Sequence, residues 1–380
     1  MQKKTSKSHI IGILGGGQLA LMLMDSAVKK GHEVVIYAQN LDEPACQKAK
    51  RSVIGSQTDQ EQLLAFFRCV DSVVLESEFY SPELLEFLVS KTKTKILPSL
   101  SAYKHLYAKN RQKTFFKQAG IAFVNSVVVS TEQDLELVDF SAPYMLKLSH
   151  GGYDGYGNLV VENAKDLKAK VCEFSDNYSQ NIIIEQLIQI KSEYASMLVK
   201  GRKDNLIFPT CKTYQENSIC HLVEFPAPIG EKQASKISKF MQKINHSLDG
   251  EGVFAFEFFE DDRGDIYVNE CAPRVHNSYH FTMENFEQSQ FDYMIDIAVD
   301  EKISAVSVLH SHGTMINLLG QKNSSTYKLI IPETSSKQVY AEHMYLKKQN
   351  KIGRKMGHLT LYGDQSSLEI AKKIKKEYKL

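Results

Sequence analysis

The sequence lacks the features of a membrane, secreted or nucleic-acid-binding chain. No stretch approaches the roughly 20 apolar residues that a transmembrane helix needs. The apolar run Ile10–Leu14 follows Lys3, Lys4 and Lys7, as a signal peptide would, but it breaks into Gly15-Gly16-Gly17-Gln18 with no convincing cleavage site behind it. Six cysteines, Cys46, Cys69, Cys172, Cys211, Cys220 and Cys271, form no CxxC pair, so the expectation is reduced, buried thiols in a cytoplasmic protein. Lys and Arg number 46 against 45 Asp and Glu, and a net charge of +1 gives no overall field to draw nucleic acid or a membrane. Internal repeats and low-complexity linkers are absent.

What is present is a chain of 380 residues, 43% hydrophobic and 24% charged, the profile of a globular protein of two or three domains. The first hundred or so residues alternate short apolar strands with helical spacing. Strands are expected at His9–Leu14, Glu33–Tyr37, Ser52–Ile54, Ser72–Leu75 and Lys95–Leu97. Helices are expected at Gln18–Lys30, Glu43–Lys50, Asp59–Cys69 and Ser81–Ser90. Such alternation predicts a doubly wound, mostly parallel sheet. A helix over Leu100–Ala119 follows. Mixed strands come next at Ser126–Val129, Tyr144–Leu148, Asn158–Val161, Asn181–Glu185 and Tyr194–Val199, interrupted by a helix over Ala164–Phe174. Helix Glu231–Leu248 precedes a hairpin, Gly252–Glu260 and Asp265–Glu270, around the turn Asp261-Asp262-Arg263-Gly264. Short strands and a last helix near Ser367–Tyr378 complete the chain.

Gly15-Gly16-Gly17-Gln18-Leu19-Ala20 fits G-x-G-x-x-G/A between a strand and a helix, where backbone N–H groups can meet a phosphate. The second strand ends in Tyr37-Ala38-Gln39-Asn40, without the acid that a dinucleotide ribose requires. A phosphate-bearing substrate fits this loop better than NAD, and a simple tight turn is the alternative. A second glycine loop, Ser149-His150-Gly151-Gly152-Tyr153-Asp154-Gly155-Tyr156-Gly157-Asn158, lies between two strands and is not a P-loop. It can fold over a triphosphate as an anion nest, with Lys147 on the preceding strand neutralising phosphate charge. Glu257 and Glu270 lie on the two arms of the hairpin and with Asn269 make a hard oxygen set suited to Mg²⁺. A carboxylate among Phe254-Ala255-Phe256 and Phe258-Phe259 wants a cation or a hydrogen-bond partner. Cys271-Ala272-Pro273-Arg274-Val275-His276-Asn277-Ser278 follows directly. Arg274 can hold an anion with two donors, and His276, Asn277 and Ser278 offer substrate contacts. Glu185-Gln186-Leu187-Ile188 can present backbone groups to an adenine edge, with Glu193 accepting from ribose hydroxyls.

These segments, with Ser289-Gln290-Phe291, Asn317-Leu318-Leu319-Gly320 and Gly353-Arg354-Lys355-Met356-Gly357-His358, resemble the ATP-grasp family of 5-(carboxyamino)imidazole ribonucleotide synthetases of bacterial and fungal purine biosynthesis. The resemblance runs nearly end to end. It implies an N-terminal Rossmann-like domain over residues 1–100, an ATP-grasp domain over 101–310 with a lid at about 124–188, and a β-rich C-terminal domain over 311–380. It implies a cytoplasmic homodimer using ATP, Mg²⁺ and bicarbonate to form carboxyphosphate, whose carboxyl passes to the amine of a phosphorylated ribonucleotide. The resemblance gives Lys109, Lys147, Gly152, Tyr153, Asp154, Gly155, Tyr156, Gly157, Asn158, Glu185, Gln186, Leu187, Ile188, Glu193 and Asn269 to the nucleotide. Glu257 and Glu270 go to the metal. Tyr153, Asp154, Arg274, His276, Asn277 and Ser278 line the reacting region, with Asp154 or His276 to take the amine proton. Lys347 and Arg354 hold the ribonucleotide phosphate, and Gln18 and Glu76 approach the acceptor.

The chain departs from the family pattern at several places. Tyr156 stands where Arg or Lys is usual, Ala20-Leu21 replace Gly-Arg, and Glu76-Ser77-Glu78-Phe79 replaces Glu-Phe-Glu-Asn. A His is missing near Gln215, and Lys109 replaces Arg. The alternative readings are an ATP-grasp ligase repurposed for another amine acceptor, and a nucleotide-binding protein without turnover.

Overall fold

The computed structural model describes residues 8–152, 156–332 and 339–380. Strand Ile10–Leu14 is apolar throughout because it is the centre of a five-stranded parallel sheet. The order is Ser52–Ile54, Glu33–Ala38, Ile10–Leu14, Ser72–Leu75, Lys95–Leu97. The chain leaves the central strand to one side and returns on the other, which opens a crevice at the carboxyl ends of the strands. Gly15–Gly17 and Glu76 stand at that crevice. Asp59 and Ser81 start the helices Gln60–Arg68 and Pro82–Thr92, accepting from the N–H groups of Gln62 at 3.0 Å and Leu84 at 3.2 Å.

Two expected helices are corrected. Glu43–Lys50 forms turns, because the Ala45 N–H leaves the local helix ladder for the carbonyl of Gly16, at 2.8 Å, and the Glu43 carboxylate turns back to Gln39 and Asn40. Leu100–Ala119 is two helices, Leu100–Leu106 and Lys109–Gln118. Ala108 is extended (φ −136°, ψ 142°), and the Lys109 N–H binds the carbonyl of Ser149 at 2.8 Å. The break puts Lys109 at a helix start beside the second glycine loop.

A four-stranded antiparallel sheet follows, ordered Ser126–Val129, Ile182–Gln186, Tyr144–Leu148, Asn158–Val161. The remaining strands build a nine-stranded sheet. Along it run Ile266–Ala272, Gly252–Asp261, Ile190–Lys200, Cys211–Glu216, Ile219–Phe225, His312–Leu319, Lys355–Gly363 and Tyr340–Met344, with Asn205–Ile207 paired to Ile190–Lys200. The sheet therefore continues without interruption past residue 310. Phe254, Phe256 and Phe258 alternate onto a core with Ile237, Phe240, Met241 and Ile244 of helix Glu231–Ser247. Helix Gln290–Ala298 binds helix Gln18–Lys29 and its end through Ser26–Asp292 and Lys30–Asp296, each at 2.6 Å. All six cysteines are free. Cys211, Cys220 and Cys271 are buried, whereas Cys46 and Cys172 are half-buried and Cys69 is exposed, so only half of the expected burial is found. Among the described residues no helix is long and apolar enough to cross a membrane.

Candidate functional site

A cavity of about 790 Å³ lies where the parallel sheet, the four-stranded sheet and the long sheet meet. Its floor comes from an irregularity in the Gly252–Asp261/Ile266–Ala272 pairing. Phe256 faces Cys271 and Phe258 faces Val268, so Glu257 stands opposite both Asn269 and Glu270. In a regular strand neighbouring side chains point to opposite faces, and a bulge re-aims one of them. All three oxygen donors thereby line the cavity. Glu193, across the next strand, joins them. Burial and then the nearby Glu257 push its carboxyl up to about 7.

Three lysines answer these acids. Glu185 is buried between Lys113 Nζ at 2.6 Å and Lys147 Nζ at 2.7 Å. Burial opposes its charge, but the two ammonium groups prevail and hold it down to about 2. Lys147 also donates to Asn269 Oδ1 at 3.0 Å, which connects the four-stranded sheet to the hairpin. Lys109 pairs with Glu270. Burial and then Lys147 draw its ammonium down to about 8, against the pull of Glu185 and Glu257. Ser149 anchors the helix from outside, accepting from Lys109 N–H and, through Oγ, from Asn110 N–H at 3.4 Å.

Beyond the hairpin, Arg274 is clasped by Glu78, with Nε at 2.5 Å and Nη2 at 3.1 Å from its two oxygens. Burial would raise the Glu78 carboxyl, but Arg274 holds it below the usual range. His276 accepts at Nδ1 from the Ser278 N–H at 3.4 Å and lies 2.9 Å from Ser278 Oγ. Its Nε2 faces Glu257 at 3.8 Å. Burial, Arg274 and Lys355 keep this imidazole well below its ordinary value, hence neutral. Asn277 and Asn317 exchange amide hydrogen bonds of 2.9 and 2.7 Å, and Asn317 also donates to the Cys220 carbonyl at 2.9 Å.

The first glycine loop differs from its sequence reading. Glu76 fills it, accepting from the N–H groups of Gly17 at 2.8 Å and of Leu19 and Ala20 at 3.2 Å. A Cβ at Gly15 or Gly17 would lie 2.2 or 2.3 Å from a Glu76 oxygen, which explains the glycines. The helix start already holds an internal carboxylate where a phosphate was expected.

Of the expected site residues that are described, all but Gly157, Lys347 and Arg354 line the cavity. Tyr153, Asp154 and Gly155 lie outside the described residues. Gly157 closes the loop hairpin, its carbonyl accepting from Leu148 N–H at 2.8 Å. Lys347 is buried with Nζ 5.7 Å from the Tyr345 ring centre, and Arg354 donates to the Gln349 carbonyl at 3.2 Å. In the adenine connector, the Leu187 N–H is taken by the Pro143 carbonyl at 3.1 Å. Sequence reasoning passed over Lys113, Glu78, Lys355 and His280. Lys355 and Glu78 sit in segments already singled out, and His280 lies two residues beyond another, so their neighbourhood was the available signal.

Residues 8–105 match the ribonucleotide synthetase preATP-grasp domain, residues 114–291 the ATP-grasp domain, and residues 313–372 the phosphoribosylaminoimidazole carboxylase C-terminal domain. The N5-carboxyaminoimidazole ribonucleotide synthase of Staphylococcus epidermidis is 31% identical over 358 residues, covering 93% of this chain and 92% of that protein. The chain belongs to the N5-carboxyaminoimidazole ribonucleotide synthase family. The Staphylococcus aureus synthetase solved with ADP is similar over 99% of both chains, with a TM-score of 0.85 and 28% identity. The Aspergillus clavatus synthase solved with ADP and 5-aminoimidazole ribonucleotide covers 96% of both chains, with a TM-score of 0.81 and 29% identity. One departure from the synthase pattern has visible consequences. Phe79 ends the segment in which the resemblance expects Asn, and its ring meets His150 edge-on at 6.2 Å, while Tyr107 approaches the same imidazole at 5.9 Å. An aromatic cluster thus joins the parallel-sheet domain to the base of the glycine loop.

Proposed function

We propose that this chain catalyses the ATP-dependent carboxylation of 5-aminoimidazole ribonucleotide with bicarbonate, giving N5-carboxyaminoimidazole ribonucleotide, ADP and phosphate in purine biosynthesis. The observation that carries the reading is the single cavity. It brings Lys147 and Glu185, the acidic hairpin, and the Arg274–Ser278 segment within one enclosure.

Lys109 and Lys147 bind the nucleotide phosphates, and the glycine loop covers them. Gln186–Ile188 border the adenine, and Glu193 accepts from the ribose. Two carboxylates and one amide suit Mg²⁺, which takes few protein oxygens and completes its shell from phosphates and water. Burial, and after it Glu257, raises the Glu193 carboxyl, and a cation held at Glu257 would relieve the second of these. Glu257, Glu270 and Asn269 would hold the ion, and the ion when bound would neutralise phosphate charge.

Arg274, aimed by Glu78, receives the carboxyphosphate anion, and Ser278 and Asn277 orient the acceptor. Neutral His276 has its Nδ1 lone pair engaged by Ser278 and directs its Nε2–H side at Glu257. With no free ring lone pair it leaves the amine proton to Asp154. The resemblance gives the acceptor phosphate to Lys347 and Arg354, which stand outside the cavity, whereas Lys355 of the same segment lines it; the protein acts as a cytoplasmic homodimer. The test is transfer of isotopic label from bicarbonate into the ribonucleotide, dependent on ATP. Label entry in proportion to ADP formed supports the proposal, and ADP formation without label entry overturns it.

A further inference from the structure

Gln290 opens helix Gln290–Ala298 and is fully buried. It belongs to the Ser289-Gln290-Phe291 segment, to which the resemblance attaches no role. Its amide is read at both ends by one residue's backbone. Oε1 accepts from the His276 N–H at 2.7 Å, and Nε2 donates to the His276 carbonyl at 2.8 Å. A backbone N–H can only donate and a carbonyl can only accept, so the amide has one possible orientation. The second hydrogen on Nε2 then meets His280 Nδ1 at 3.0 Å. That ring nitrogen must accept, and the imidazole hydrogen resides on Nε2.

Everything around this contact is fixed. The Gln290 N–H donates to Thr282 Oγ1 at 3.1 Å, and Thr282 Oγ1 donates to the Tyr279 carbonyl at 2.6 Å. Ser289 and Asp292 close a capping box at the same helix start. Phe291 and His358 lie against the His280 ring at centroid distances of 5.5 and 5.0 Å. Burial, and then His276, His343, Lys355 and Arg274, disfavour a charge on His280. The ring lines the same cavity as His276, Arg274 and Lys355.

We propose that Gln290 is a positioning residue that sets His280 as the neutral Nε2–H tautomer, so that His280 offers a hydrogen-bond donor to an anionic oxygen of the substrate. The proposal rests on the synthase reading for the identity of that substrate, but the tautomer itself is a property of the ligand-free chain. The test uses protein labelled with nitrogen-15 histidine, at neutral pH and without ligands, with the His280 signals assigned by their loss in His280→Asn. The wild-type protein is expected to show protonated Nε2 and unprotonated Nδ1 at His280. Gln290→Glu keeps the volume and the acceptor for His276 N–H but replaces the donor to His280 and to the His276 carbonyl by an acceptor. It is expected to move the His280 hydrogen to Nδ1 or add one there. The kcat/KM for the acceptor should then fall about tenfold or more with the KM for ATP changed about twofold or less, because His280 and His276 both stand on the Arg274–Ser278 side of the cavity rather than at the adenine connector. A wild-type His280 carrying its hydrogen on Nδ1 overturns the proposal, even if the variant does not fold. So does a folded Gln290→Glu protein with an unchanged nitrogen pattern. Loss of all synthase activity in the wild-type protein would instead remove the functional reading and leave the tautomer standing.

Discussion

Glu78 and Arg274 form a two-pronged ion pair, 2.5 and 3.1 Å long, between the parallel-sheet domain and the strand end beyond the acidic hairpin. The guanidinium is therefore aimed before any substrate arrives. Glu78→Gln keeps the shape and removes the charge. It should lower kcat/KM for the ribonucleotide by about a hundredfold, as expected for a misplaced contact group. With both side chains about one-fifth exposed (18% and 22%), denaturant unfolding should show a loss of roughly 2 kcal/mol. A variant with normal acceptor kinetics would remove the positioning role of Glu78.

Lys113 and Lys147 share Glu185, and Lys113→Met removes one of its two counter-charges. The folded-state carboxyl lies near 2, below its ordinary value of 4.5. Its contribution to stability is thus present above about 4.5 and is lost as pH falls through about 2. Without Lys113 the folded value rises, so acid unfolding followed by circular dichroism should begin at higher pH. The KM for ATP should rise about tenfold as Lys147 is drawn to the unbalanced carboxylate. Coincident acid curves for the two proteins would contradict the shared-carboxylate account.

Glu193 carries the opposite sign. Its folded carboxyl is raised to about 7, so ligand-free stability from this group is complete below its ordinary value of 4.5 and is lost as pH rises toward 7. Glu193→Gln should flatten that part of the stability profile and weaken ATP binding, with the wild-type affinity for ATP rising as Glu193 ionises. Thermal melts across this range, with and without ATP, check both halves. A slope that survives in Glu193→Gln assigns it to another group.

Glu270→Ala should abolish Mg²⁺-dependent ADP formation while leaving the fold intact, because Glu270 is a half-buried strand residue. A malachite-green phosphate assay against Mg²⁺ concentration reads this directly, and normal turnover in the variant would remove the metal assignment.

The parallel sheet was legible because each of its strands is a short apolar run bounded by turn or cap residues, and Glu257 drew notice because its sequence neighbours Phe254–Phe256 and Phe258-Phe259 are apolar. Long-range partners were not legible. Lys113 looks like any helix lysine until Glu185 arrives from a strand more than seventy residues later. Glu78 gains its meaning only from Arg274. The Glu43–Lys50 segment has helical composition, but its backbone is captured by Gly16, a contact that local propensity cannot contain. The first glycine loop was read as a phosphate cradle because its pattern reports N–H groups at a helix start, and the pattern is the same when Glu76 fills the place. The bulge that turns Asn269 and Glu270 to the same cavity is likewise a property of pairing, although the residue types pointed to the correct hairpin.

The most direct test of the central claim is ADP release by the purified protein with Mg²⁺-ATP and bicarbonate, with and without 5-aminoimidazole ribonucleotide. The account predicts strong stimulation by the ribonucleotide, with ribonucleotide consumed in step with ADP. ADP release indifferent to the ribonucleotide would contradict it and would direct attention to another amine acceptor in the same cavity.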